Sequence, residues 1–216
     1  VVGAGPAGSI AARELALRGH SVLLVEKFAL GRPKVCGGCL NGAARRQLNE
    51  LGLGDTVAGA ARIDSFLLSC AGRHSRIGVL GQVAIAREEF DAALVKAAEA
   101  AGANVVCGVT AQVQECAADR RTVQLATSAR QFRARARVVV LATGLGKTAG
   151  QTSGRRPAPR AGQLIGAGAM LPGVSLSVEP GTIHMAVGPG GYVGMVRLAD
   201  GRVNVAAALS RRLVAS

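Results

Sequence analysis

The chain has 216 residues, 49% of them apolar, and a formal net charge of +13. That hydrophobic content is ample for a packed core, in one sizeable domain or two small ones, and excludes intrinsic disorder. Aromatics are 2% with no Trp, which counts against base stacking on single-stranded nucleic acid.

In chain order, VVGAG reads as the tail of a buried strand. Residues 6–18 read as a helix, with Ala7, Ile10, Ala11, Leu15 and Leu17 on its apolar face and Gly19 as its stop. SVLLVE is a buried strand of the parallel-sheet kind, completing a strand–helix–strand unit. The loop ALGRPKVCGGCLNG precedes a helix in AARRQLNELGL, and the short β-like runs IDSFLLSC, HSRIGVL and QVAIA follow. AREEFDAALVKAAEAAG is an amphipathic helix with acids in its first turn and Gly102 at its end. NVVCGV returns as a strand, residues 111–135 form a three-stranded meander with turns near Asp119 and Ser128, and VVVLATG is a further buried strand.

The polar stretch GKTAGQTSGRRPAPRAG is the best domain boundary. Residues 1–150 would form a nucleotide-binding domain, and residues 151–216 the first part of a second, truncated one. The strands within residues 61–86 are free to join the second sheet. IGAGAML, VSLSVE, TIHMAVG, YVGMVRL and RVNVAAAL read as strands of that largely antiparallel sheet. The expected class is α/β, a Rossmann-like domain plus a mixed sheet.

Five cysteines at irregular spacing argue for a reducing compartment. No apolar run approaches the ~20 residues of a membrane span, and no signal peptide precedes the first strand. A cytoplasmic protein is expected, with peripheral membrane contact left open. The basic residues are scattered, and in QFRARARVVV the arginines alternate along a strand, so a solvated face is favoured over a polyanion site. Nucleic acid is not an expected partner, and oligomeric state is not legible.

Gly3, Gly5 and Gly8 stand between a strand and a helix in the dinucleotide spacing. Gly3 permits the tight turn, Gly5 lets a pyrophosphate approach the backbone, and Gly8 lets the helix pack on the strand. The helix N-terminus offers free N–H groups to phosphate. Glu26, at the end of the next strand, suits both ribose hydroxyls. Lys147 lacks the upstream glycine of a phosphate-binding loop, so that reading is rejected. His20 and His74 read as surface residues.

GAGPAG at the start, a Lys-x-Cys-Gly-Gly segment in GRPKVCGGCL, AREEFDAALVKAAEAAG, GVTAQV, VVVLATG and GGYVGMVRLADGRVNVAAAL together resemble the geranylgeranyl reductase family. That family consists of FAD-dependent oxidoreductases built like p-hydroxybenzoate hydroxylase. The resemblance implies FAD, with NAD(P)H as an admissible reductant and an apolar or aromatic small molecule as substrate. It assigns Gly3, Gly5, Ala7, Gly8, Glu26, Lys27, Cys36, Gly37, Cys39, Arg87, Ala111, Thr143 and Gly144 to the cofactor, and Cys36 to catalysis.

Reduction of a carbon–carbon double bond is the reaction it implies. Hydroxylation or halogenation is one alternative, and a basic nucleic-acid-binding protein with a structural nucleotide is another. Three departures stand out. Gly194, Val196 and Arg197 replace the Trp, Phe and Pro of the family's Tyr-x-Trp-x-Phe-Pro hairpin, while Tyr192 is kept. Cys39 replaces a usual Gly. The family's Gly-Asp segment is absent, so the chain is expected to be a fragment lacking both ends.

Cys36-Gly37-Gly38-Cys39 is a CxxC. No second close pair accompanies it, so a metal site is not expected. A redox dithiol and a cofactor-lining loop both remain, the loop being favoured.

Overall fold

The computed structural model describes residues 1–117, 119–145, 162–173 and 177–214. In chain order they begin with helix α1 (Pro6–Leu17), strand β1 (Leu23–Glu26), β2 (Cys39–Leu40) and α2 (Gly42–Glu50). A short 3-10 turn at Gly54–Val57 leads to β3 (Ala61–Cys70), β4 (Arg73–Ala84) and α3 (Arg87–Ala100). Next come β5 (Asn104–Cys107), β6 (Thr110–Ala117), β7 (Arg120–Ala126) and β8 (Gln131–Ala136). The remainder is β9 (Ile165–Leu171), β10 (Thr182–Gly188), β11 (Gly191–Arg197), β12 (Val203–Leu209) and α4 (Arg211–Val214). The boundary stretch around Lys147 lies outside the described residues.

Contacts divide the chain into two compact units, each made of two stretches: Val1–Arg32 with Glu88–Arg156, and Pro33–Arg87 with Pro157–Ser216. A single cut near residue 150 does not follow these contacts, because residues 33–87 pack with the second stretch.

In the first unit β1 pairs in parallel with β5. On the other edge of β1 lie residues 1–3, with Gly3 N–H donating to Val25 O at 2.8 Å and Ala142 N–H donating to Val2 O at 2.8 Å. Successive residues of β1 serve opposite faces, as a strand's period of two requires. Leu24 packs with Ala12 of α1 and Val95 and Ala98 of α3. Val25 packs with Val109, just before β6, and with Val123 and Leu125 of β7, the middle strand of the three-stranded meander β6-β7-β8.

Two expectations change here. The buried side of α1 is Gly8, Ser9 and Ala12, whereas Leu17 is exposed. Small residues win because the helix lies close against the turn that precedes it. VVVLATG is not a buried strand: it makes one bridge, Val2 to Leu141, and Val138 and Leu141 are exposed. It pairs along one edge, and a run of valines reads the same at an edge as at a centre.

The second unit holds a seven-stranded sheet in the order β2-β4-β3-β10-β11-β12-β9. All its pairs are antiparallel except β3 with β10. The runs within residues 61–86 therefore become one long hairpin of this sheet, irregular between Ile63 and Ser65. Ile63, Ala84, Ala86, Ile183, Val196 and Leu198 form its core. The expected strand in VSLSVE is not seen in the part of it that is described. Its residues 177–179 are irregular and residues 174–176 lie outside the described ones.

Polar anchors hold that segment. Arg197 donates to the carbonyls of Val178 (2.9 Å), Gly201 (3.0 Å) and Gly173 (3.1 Å). Arg76 pairs with Glu179 at 2.6 Å and reaches Ser65 Oγ at 2.9 Å. A segment tied down through its carbonyls and a carboxylate has no need of a ladder partner. The α/β class and the largely antiparallel second sheet are as the sequence implies.

Candidate functional site

The glycine turn of the first unit shows three different constraints. Gly3 has φ +101, and a Cβ there would overlap the Ala142 carbonyl oxygen and stand 3.3 Å from Thr143 N. Only glycine takes that conformation at no steric cost. A Cβ on Gly8 would overlap Gly3 O and stand 3.2 Å from Ala142 Cβ. Gly5 differs, since a Cβ there would meet nothing within 4 Å. Two glycines are thus required by the protein's own packing, and the third borders open space.

Gly5 is the N-cap of α1 with Pro6 behind it, no side chain caps the helix, and its first turn carries no acid. The N–H groups of Ala7 and Gly8 fall within the first turn, where an α-helix provides no internal acceptor. Together with the helix dipole they make an anion-binding end beside that open space.

Glu26 closes the arrangement. Its Oε2 accepts the Ala4 N–H at 2.8 Å and its Oε1 accepts the Phe28 N–H at 3.2 Å. The carboxylate is oriented by backbone on both sides, and each oxygen keeps capacity for a further donor. The Ala4 contact was not legible in the sequence, because a backbone donor leaves no compositional mark.

Lys27 lies 5.1 Å over the Phe28 ring, with the Arg32 guanidinium 4.1 Å from the same ring. Opposite Glu26 across the β1–β5 pair is Cys107, whose thiol is held above its ordinary range by burial and by the carboxylates of Glu26 and Glu99. Ala111 pairs with Leu125 and packs on the Val25 cluster. Thr143 adjoins Gly3, and Gly144 follows in an exposed turn at φ +60. The structure therefore gathers Gly3, Gly5, Ala7, Gly8, Glu26 and Thr143 around one turn.

Cys36, Gly37, Cys39 and Arg87 belong to the second unit. Arg87 opens α3 and is half-buried. The CxxC loop lies on the sheet. Gly166 and Gly168 of β9 leave room for Val35, whose Cγ1 would be 3.3 Å from a Cβ at Gly166. Asn204 of β12 donates through Nδ2 to Cys36 O at 2.9 Å. Gly38, at φ +68, fits where a Cβ would be 3.0 Å from Asn204 Nδ2 and 3.1 Å from Ile85 O. The sequence reading missed Asn204, although an amide inside the apolar run RVNVAAAL was the available signal.

Both cysteines are free and half-buried. Cys36 Sγ accepts the Gly38 N–H at 3.4 Å, whereas Cys39 Sγ donates to Gly37 O at 3.3 Å. Burial, with Cys36 nearby, pushes the Cys39 thiol up to about 11.

His20 and His74 are exposed. His184 is half-buried, and its Nε2 accepts the Glu179 N–H at 3.3 Å. Among the described residues no group of three or more His, Cys, Asp or Glu could hold a metal ion, and no helix is long and apolar enough to cross a membrane.

A family model described as FAD binding domain matches residues 1–196. The chain belongs to this FAD-binding family. Among relatives of this FAD-binding chain, the menaquinone reductase of Mycobacterium tuberculosis is 35% identical over 162 residues, covering 72% of the chain and 40% of the relative. Digeranylgeranylglycerophospholipid reductase 2 of Methanopyrus kandleri is 32% identical over 214 residues, covering 95% of the chain and 52% of the relative. The FAD-binding chain thus spans about half or less of the length of these relatives. A solved structure, the myxobacterial chondrochloren halogenase, superposes with a TM-score of 0.81 at 25% identity, covering 99% of the chain and 53% of the halogenase.

Proposed function

We propose that the protein is an FAD-dependent oxidoreductase that reduces a carbon–carbon double bond in an apolar small molecule. The observation that carries the reading is the Glu26 carboxylate pinned by the Ala4 N–H at 2.8 Å, beside an open Gly5 and an uncapped helix end. These features fit an adenosine diphosphate group. Gly5 and the N–H groups of Ala7 and Gly8 would hold the pyrophosphate, and Glu26 would accept from the adjoining ribose hydroxyls. Thr143, Gly144, Ala111 and Lys27 complete the assigned contacts in the first unit. The resemblance assigns Cys36, Gly37, Cys39 and Arg87 to the same cofactor. FAD supplies hydride or electron transfer at its isoalloxazine ring, while the protein supplies placement and electrostatics.

Two relatives named for menaquinone and for a digeranylgeranyl phospholipid support an apolar substrate. NAD(P)H is the proposed reductant. The likeness to a halogenase, with Gly194 where the geranylgeranyl reductases carry Trp, favours a second reading as a flavin monooxygenase or halogenase.

The test is a flavin titration of the purified protein and of Glu26→Gln, followed by turnover. A flavin spectrum, with affinity about tenfold lower in the variant, is expected. Anaerobic saturation of an alkene supports the reductase, and oxygen uptake coupled to NADPH oxidation supports the second reading. Colourless protein that refuses added FAD overturns both.

A further inference from the structure

We infer that Cys36 and Cys39 form a peroxide-sensitive dithiol with divided roles, Cys36 reacting first and Cys39 resolving. The inference goes beyond the flavin reading and stands without it, because every group it uses belongs to the second unit.

The polarity of the hydrogen bonds assigns the roles. Cys36 Sγ is an acceptor, held by the Gly38 N–H at 3.4 Å. A sulfur that accepts a backbone N–H leaves its own hydrogen uncommitted to the loop, so its attack breaks no bond that it donates. Cys39 Sγ is a donor, to Gly37 O at 3.3 Å, and a sulfur that donates carries its proton. The Cys36 carbonyl is fixed by Asn204, and Cys39 is fixed by its pairing with Ala84. The rest of the loop therefore frames two sulfurs of opposite character.

Gly37 O and Gly38 N–H belong to one peptide group. In a trans peptide the carbonyl and the N–H point to opposite sides, and no peptide among the described residues is cis. The two sulfurs are thus bound to opposite sides of one peptide group. Both of its flanking residues are glycines, the residue type with the widest backbone freedom, so the peptide can turn and release both sulfurs at once.

The chemistry balances with hydrogen peroxide as oxidant. Cys36 thiolate attacks one peroxide oxygen, an S–O bond forms, the O–O bond breaks, and the departing hydroxide takes up a proton to leave as water. The Cys39 sulfur then attacks the sulfenic sulfur, the S–S bond forms and the S–O bond breaks. The second hydroxide takes the Cys39 proton and leaves as water. Two thiols lose two electrons in total, and one peroxide becomes two waters.

The test is site-resolved mass spectrometry on the whole protein, so that Cys70, Cys107 and Cys116 are scored separately. Limiting iodoacetamide near pH 7.5 is expected to label Cys36 more than about tenfold faster than Cys39. Stoichiometric peroxide should yield a Cys36–Cys39 disulfide, lighter by two hydrogens and reversed by dithiothreitol. In Cys39→Ser the product should be a dimedone-trapped sulfenic acid on Cys36, and in Cys36→Ser no such adduct should form on Cys39. Circular dichroism confirms that each variant folds. Equal labelling of the two thiols, a dimedone adduct on Cys39 in Cys36→Ser, or a peroxide-treated protein with both thiols intact would overturn the inference.

Discussion

Gly5 and Gly8 are identical residues three positions apart, and the structure gives them opposite reasons to be glycine. Substituting each by alanine separates the two reasons. In Gly8→Ala the new methyl overlaps the Gly3 carbonyl oxygen and stands 3.2 Å from Ala142 Cβ. The main obstacle is backbone, and Gly3 is itself fixed at φ +101. Relief therefore requires moving α1 off the turn. Overpacking of this kind costs about 1–3 kcal/mol, and a backbone obstacle puts it at the upper end. For a protein of this size each kcal/mol moves Tm by about 2–4 °C, so a fall of roughly 6–12 °C is expected.

In Gly5→Ala the methyl meets nothing within 4 Å, and φ −76 suits any residue. The loss of a favoured N-cap residue is offset by reduced entropy of the unfolded chain, so stability should change by less than about 1 kcal/mol. Yet that methyl occupies the space proposed for the pyrophosphate, and FAD affinity should drop more than about tenfold, or 1.4 kcal/mol. Thermal unfolding and flavin titration of both variants are the assays. A Gly5→Ala protein that binds FAD like the parent, or a Gly8→Ala protein that melts like it, would refute the reasoning.

Two further outcomes follow from the second unit. Arg197→Met keeps the apolar stem but removes donors to three carbonyls at 2.9, 3.0 and 3.1 Å. A loss of about 2–3 kcal/mol is expected from urea unfolding, and a change under about 0.5 kcal/mol would contradict the role given to the guanidinium. The Cys39 thiol is pushed up to about 11 by burial. Between about pH 9 and 11 the unfolded chain releases that proton while the folded chain retains it, so stability should fall as pH rises, by at most about 3 kcal/mol. Cys39→Ala should lack that component, which denaturation at pH 8 and pH 10.5 would reveal.

The dinucleotide turn was legible because its constraints are local. A strand, three spaced glycines, a helix and a terminal acid lie within residues 1–26, and the structure brings them together as read. Helix α3 and the meander were legible for a similar reason, through first-turn acids and alternating patterns bounded by turns. What failed depended on neighbours distant in sequence. The buried side of α1 was decided by the close approach of Ala142, which a Cβ on Gly8 would meet at 3.2 Å, not by the larger apolar residues Ile10 and Leu17. VVVLATG reads as a core strand, but Val138 is exposed because pairing runs along one edge. The described end of VSLSVE, residues 177–179, has strand composition, yet Arg197 claims the Val178 carbonyl and Arg76 the Glu179 carboxylate. Asn204 was invisible as the holder of the Cys36 carbonyl because its partner lies 168 positions away.

The one parallel partnership among the described strands of the seven-stranded sheet, β3 beside β10 with Ser65 aligned to Thr182, has a kinetic corollary. Strands so far apart along the polypeptide must find each other before the sheet gains its middle, and closing so large a loop is slow. The first unit is split in the same manner, since Ala142 must return to Val2. Neither half can mature on the ribosome while its distant complement is unsynthesised. Nascent chains should accumulate with hydrophobic sheet edges open, which makes this architecture a natural client for chaperones that shield such edges until the last strands emerge.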